Sequence, residues 1–344
     1  MTTVRKLVLV AVTIAVLAAL NQIVEYGFGD FRINPYYARI ISLIGINIVL
    51  AVSLNLINGL AGQFSLGHAG FMAVGGYTAT YLTVYHGASI AGLVGSTVTG
   101  AVGGSIVMVA SLIAGAIAAA AAGFVVGIPS LRLKGDYLAI VTLGFGEIIR
   151  VVILNVPAVG GATGFTDAIP ITNFFWIYAM AILTIVIVSN IATSTFGLAL
   201  SAIRSDEVAA EAMGIHTTRG KVLAFVVGSA LAGVAGGLSG QLFANPLNPQ
   251  NLNFVKSIEV VVMIVLGGIG STTGAIFGAT ALTILPEALR GFDRQFPGLR
   301  MVIYALLLVL MMIFRPQGVL GRYELTWSSI RRLLRLPSGA GTPA

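Results

Sequence analysis

Residues able to do chemistry are scarce in this chain and crowd into one stretch. Phe196 to Lys221, FGLALSAIRSDEVAAEAMGIHTTRGK, holds Arg204, Asp206, Glu207, Glu211, Arg219 and Lys221, against 19 Lys and Arg and 12 Asp and Glu in all. Nucleotide chemistry is the first test. Gly214 to Val222 approaches the phosphate-loop pattern, but five residues separate Gly214 from Gly220, and Val222 stands where the pattern needs a hydroxyl. No strand precedes it, so the chain is expected not to bind ATP itself. Gly268, Gly270 and Gly274 miss the dinucleotide fingerprint, which needs a shorter second gap. His68, His86 and His216 lie far apart, and there is no Cys, which removes thiol catalysis, thiolate metal sites and disulfides. No catalytic set, metal site or cofactor is expected.

What the stretch offers instead is a docking element. Ser205 or Asp206 can cap a helix N-terminus, with the acids in the first turn where the helix dipole favours them. Glu207 and Glu211 then share one face, and Val208, Ala209, Ala212 and Met213 form an apolar side. Gly214 stands where a left-handed C-terminal cap belongs. A solvated loop helix is the plain reading. A helix that takes up force from a water-soluble partner is the sharper one. Two other charge groups lie inside apolar runs: Glu147 with Arg150, and Lys256 one turn before Glu259. Ionisable groups within a membrane are costly and become functional candidates by default, the alternative being local ion pairs near an interface.

The elements that must position these residues are membrane helices. Of 344 residues 57% are hydrophobic and 9% charged, and the mean hydropathy is +0.98. Soluble domains carry about 25% charged residues, so this surface belongs in lipid. The 43 Gly suit closely packed membrane helices. The net charge of +7 comes from dispersed residues between apolar runs, which fits topology signals better than nucleic-acid binding. Apolar runs predict spans near 4–24, 38–57, 67–86, 104–127, 137–155, 174–192, 219–243, 255–269, 273–289 and 299–314. The expected fold is therefore an all-α polytopic membrane protein of about ten helices (eight to ten), with a transmembrane body over 1–321 and a basic tail over 322–344. Residues 88–103 read as a re-entrant or external piece.

Two Gly-rich interruptions, in 54–76 and 262–279, read as a faint internal repeat. The first, Asn58 to Tyr77, carries Asn58, Gln63, Ser65, Gly67, His68 and Gly70, the candidates for close packing or a translocation path. Irregular backbone at membrane depth needs protein or a water-filled cavity to satisfy it. An even span count puts both termini on one side. If that side is the cytoplasm, it holds Arg5, Lys6, Arg132, Lys134, Arg204, Arg219, Lys221, Arg315, Arg322, Arg331, Arg332 and Arg335, which is 12 of 19 basic residues. Residues 197–218 then face the cytoplasm, and 88–103 and 156–173 the opposite side.

NGLAGQFSLGHAGFMAVGGY, SLRLKGDYLAIVTLGFGEIIR, GGATGF, SAIRSDEVAAEAMGI and RPQGVLG, in this order, make the chain resemble the membrane permeases of branched-chain amino acid ABC importers over about residues 38 to 321. The resemblance implies one of two related permease subunits in the bacterial inner membrane, two cytoplasmic ATP-binding subunits and a periplasmic substrate-binding protein. It also implies a cytoplasmic coupling region at Arg204, Ser205, Asp206, Glu207, Glu211 and Gly214. This looks like the Glu–Ala–Gly signature of importer permeases, with a Glu207-to-Gly214 spacing one residue longer than usual. Relatives of this kind also carry urea, short amides and other amino acids. A secondary transporter without an ATPase partner is the rival class, and the docking helix discriminates against it.

Overall fold

A computed structural model describes residues 3–25, 34–93, 95–130, 133, 135–242, 247–290, 299–315, 317–321 and 324. Arg132, Lys134 and, apart from Glu324, the tail over 322–344 lie outside the described residues. The described chain is helical, with one isolated antiparallel bridge between Phe165 and Leu247. The helices are α1 (Thr3–Glu25), α2 (Pro35–Leu54), α3 (His68–Gly92), α4 (Ala101–Ser130), α5 (Asp136–Leu154), α6 (Phe174–Thr193), α7 (Thr195–Ser205), α8 (Glu207–Ala212), α9 (Thr217–Gly240), α10 (Phe254–Gly267), α11 (Thr272–Ala288) and α12 (Leu299–Phe314). Each expected span coincides with a helix to within a few residues. Five are long and apolar enough to cross a membrane: α2 with its extension to Leu60, α4, α5, α6 and α9.

The ends follow from side chains able to satisfy free backbone donors, which lipid cannot do. Asn34 accepts from the Tyr36 amide ahead of Pro35, Asn173 from Trp176, Ser194 from Gly197, Asn253 from Val255, and Ser271 from Gly274. α2 does not stop at Leu54 but widens into a π-helical turn over Asn55–Leu60. Half of the 88–103 piece belongs to its neighbours, since α3 runs on to Gly92 and α4 begins at Ala101.

α3, α4 and α9 make the tightest group. Gly75 lies against the Gly233 backbone and Gly76 against Gly236, so the two helices touch main chain to main chain. A Cβ on Gly115 would come within 2.7 Å of the Gly75 carbonyl. α3 carries His68, Thr80 and Thr83, all fully buried. It is a central helix wrapped by protein, with α2, α10 and α11 on one side and α1 and α6 beyond them.

The chain turns collect at two ends. At one, Gly59, Gly62, Arg204 and Gly270 meet, and Val319 and Leu320 bond to Leu266 and Gly267. At the other, Tyr36 bonds to Glu287, Thr172 to Gln241, and Phe175 to Asn21.

Candidate functional site

The polar stretch holds most of α7, the short expected helix as α8, and the first turn of α9. α7 ends at Ser205, Asp206 turns extended (φ −156°), and α8 follows. Asp206, not Ser205, is the cap: its Oδ1 accepts the amides of Val208 at 2.9 Å and Ala209 at 3.1 Å. Ser205 Oγ instead donates back to the Ser201 carbonyl at 3.0 Å. Gly214 closes α8 with φ +84°, bonding to Glu211 O at 2.9 Å, while the Ile215 amide reaches Ala210 O at 3.1 Å. That pair of bonds is a Schellman cap, and it needs the left-handed residue glycine supplies.

The two acids diverge. Glu207 Oε1 accepts from Lys221 Nζ at 2.6 Å, and the Lys221 side chain is 4% exposed. Lys221, at the start of α9, is therefore a buried cation held by the first residue of α8. Glu211 is exposed. So is most of the apolar side, with Val208 and Met213 at 70% and 83%, while Ala210 is the residue that packs inward. α8 thus presents a short apolar and acidic ridge outward, capped at both ends.

Arg204 points the other way. Its Nη1 donates to the Gly59 carbonyl, inside the π-helical turn. A Cβ on Gly270 would lie 2.8 Å from the same nitrogen, and one on Gly62 would lie 2.8 Å from Arg204 Cγ. Asn55 Oδ1 accepts the Gly270 amide at 2.8 Å. The two Gly-rich turns suspected of repeating each other therefore touch, and Arg204 spans both. A cavity of about 250 Å³ opens beside this junction, bordered by Gln63, Leu138, Arg204, Asp206, Glu207 and Lys221.

The candidates for a path form a brace. Asn58 Oδ1 accepts the Ser65 amide at 3.1 Å, fastening the 61–67 turn to the end of the π-helical segment. His68 is fully buried with Nε2 2.8 Å from Ser53 Oγ. Gln63 donates to the Ala61 carbonyl and borders the cavity. Ser65 is fully buried. Gly67 abuts the Thr142 carbonyl of α5, and a Cβ on Gly70 would sit 2.9 Å from Gly146 Cα. These glycines set how closely α3 and α5 approach.

The charges of the apolar runs are paired locally. Arg150 Nε lies 2.7 Å from Glu147 Oε2, and Lys256 Nζ lies 3.0 Å from Glu259 Oε2. Glu147 Oε1 also accepts the Phe254 amide at 3.1 Å, joining α5 to the start of α10. Lys256 Nζ further donates to Asn47 Oδ1 at 3.3 Å. Among the described residues no group of acids and histidines could hold a metal.

Sequence reading missed the Lys221 partner of Glu207 and the contact between Asn55 and Gly270. The faint repeat signalled the second; nothing local signals the first, since the pair is fourteen residues apart.

A family model described as branched-chain amino acid transport system, permease component, matches residues 36–312. The high-affinity branched-chain amino acid transport system permease protein LivM of Salmonella typhimurium LT2 is 33% identical over 334 aligned residues, covering 84% of this chain and 71% of that protein. LivM of Escherichia coli K12 is 34% identical with the same coverage. The permease protein LivH of Escherichia coli K12 is 39% identical over 131 residues, 38% of this chain and 41% of that one. No solved structure matches the chain significantly.

Proposed function

The chain belongs to the family of branched-chain amino acid transport permease components, and from that premise we propose that it forms half of the membrane path of an ABC importer for hydrophobic amino acids. It is a multi-pass membrane protein and a transport subunit rather than an enzyme. Its partners in this reading are a second permease chain of the same family, two cytoplasmic ATPases and a periplasmic binding protein. It crosses the inner membrane ten times with both termini in the cytoplasm, where 197–218 presents the coupling region.

The observation that carries the reading is the opposed use of α7 and α8. α8 turns an exposed, capped ridge outward, while Arg204, just before α8 on the chain, grips both Gly-rich turns. An ATPase seated on Glu211, Val208 and Met213 would move α8 as a rigid piece. The Glu207–Lys221 pair passes that motion to α9, and Arg204 passes it to α2 and to the α10–α11 turn. Two helix hairpins would then rock together, switching the bundle between two packings.

The test is reconstitution in lipid with the co-expressed neighbouring subunits, reading leucine-stimulated, binding-protein-dependent ATP hydrolysis. Its absence from a correctly assembled complex would overturn the reading. In the same complex Arg204→Gln should leave ATPase binding intact and reduce uptake per ATP hydrolysed. An unchanged ratio would remove Arg204 from the transmission.

A further inference from the structure

The ion pairs of α5 and α10 sit where an ion pair facing lipid would be hard to sustain. Glu147 is eleven residues into α5, about 16 Å from its start. Asn47, the acceptor of Lys256, is twelve residues into α2, about 18 Å from the opposite end. Both lie near the middle of a hydrocarbon layer about 30 Å thick. Yet the side chains stay accessible: 26% and 30% for Arg150 and Glu147, 21% and 37% for Lys256 and Glu259. Lys256 is fixed by two acceptors and does not stretch toward a headgroup. Charges at this depth normally face the bundle interior or water.

The second observation is Gly144. Gly67 and Gly70 are glycine because backbone crowds them, but a Cβ on Gly144 would meet nothing within 4 Å. One turn before Glu147 on α5, it leaves a notch flanked by the exposed Ile140 and Ile148. No packing inside this chain explains it.

We propose that this face, from Gly144 across Glu147 and Arg150 to Lys256 and Glu259, is the wall of the substrate path. Its acids receive the ammonium and its bases the carboxylate of an α-amino acid, and the notch beside the isoleucines receives an apolar side chain. The inference rests on the transport reading above and adds which face of the chain the amino acid touches. Asn58, Ser65 and His68 then hold the hairpin turn from behind and do not line the path.

The chain has no Cys, so Gly144→Cys introduces one thiol, in space that tolerates it. The thiolate is the nucleophile that attacks the reagent's sulfur and expels methanesulfinate, and it forms in water and not in hydrocarbon. In the assembled complex a membrane-impermeant charged methanethiosulfonate is expected to modify it and to abolish leucine uptake, with the wild-type complex unaffected. An unreactive thiol, or a modified one with full uptake, overturns the proposal. Labelling reads water access whatever the cargo is, so its failure is separable from failure of the leucine reading, which shows in the wild type. The double variant Glu147→Gln/Arg150→Gln removes both charges together, and the side-chain carbonyl kept at position 147 can still accept the Phe254 amide. It is expected to insert and assemble normally and to lose uptake by about ten-fold or more, the worth of one charged hydrogen bond. Full uptake by this variant would overturn the role assigned to the pair.

Discussion

At the scale of single residues, the proposed coupling element depends on groups with unequal jobs. Glu207 interacts with the helix dipole, worth about 0.3–1 kcal/mol, but its larger task is to neutralise the buried Lys221 ammonium. Glu207→Lys would set two cations together and leave Lys221 without its carboxylate. The cost should fall near or below the low end of the roughly 3–5 kcal/mol typical of a broken buried pair, because Glu207 keeps 27% exposure. We expect lower thermal stability and loss of ATPase co-purification, checked by melting the purified subunit and by pull-down. Gly214→Val isolates shape from charge. A Cβ on Gly214 would meet nothing within 4 Å, so the substitution is expected to act chiefly through its φ of +84°. Insertion should be normal and ATPase binding weakened; wild-type pull-down by this variant would show that the cap geometry is not read by the partner.

At the scale of elements, glycines that look alike in the sequence separate into two kinds. Gly67 and Gly70 let α3 meet α5 through backbone, whereas Gly144 opens onto free space. Gly70→Leu should force α3 and α5 apart, with an overpacking cost of about 1–3 kcal/mol or more since the neighbour is main chain. Gly144→Leu should leave the fold intact. Thermal melts of the two variants in detergent check this, and equal stability would contradict the packing described. The sequence reading of 196–221 contained the capped helix α8 and not the helix α7 that precedes it. Asp206, in extended backbone, accepts the Val208 and Ala209 amides and so separates α7 from α8.

At the scale of the whole molecule, the grouping of turns makes a topology prediction. Ser205→Cys should be labelled from the cytoplasmic side, and Ser96→Cys and Thr166→Cys from the periplasmic side, in a background without other thiols. Labelling of Ser205→Cys only from the periplasm would invert the assignment. Positions of the helices were legible from the sequence, because a stretch about 20 residues long that is apolar throughout has few alternatives to crossing a membrane as a helix. A cap at Ser205 or Asp206, and one at Gly214, were legible for a similar reason, since capping is satisfied within a few residues of chain; that Asp206 is the one came from the structure. The neighbours of each helix were not legible. Lipid tails are as apolar as Leu, so a membrane helix carries little pattern to mark its lipid, protein and water faces. Lys221 beneath Glu207, Arg204 across Gly59 and Gly270, and the paired charges on the accessible face of α5 and α10 are placed by how the segments pack. The i,i+3 pairing of those charges is local and open to a sequence reading, but contacts between distant segments, and which face of a helix stays accessible, are decided by the packed bundle.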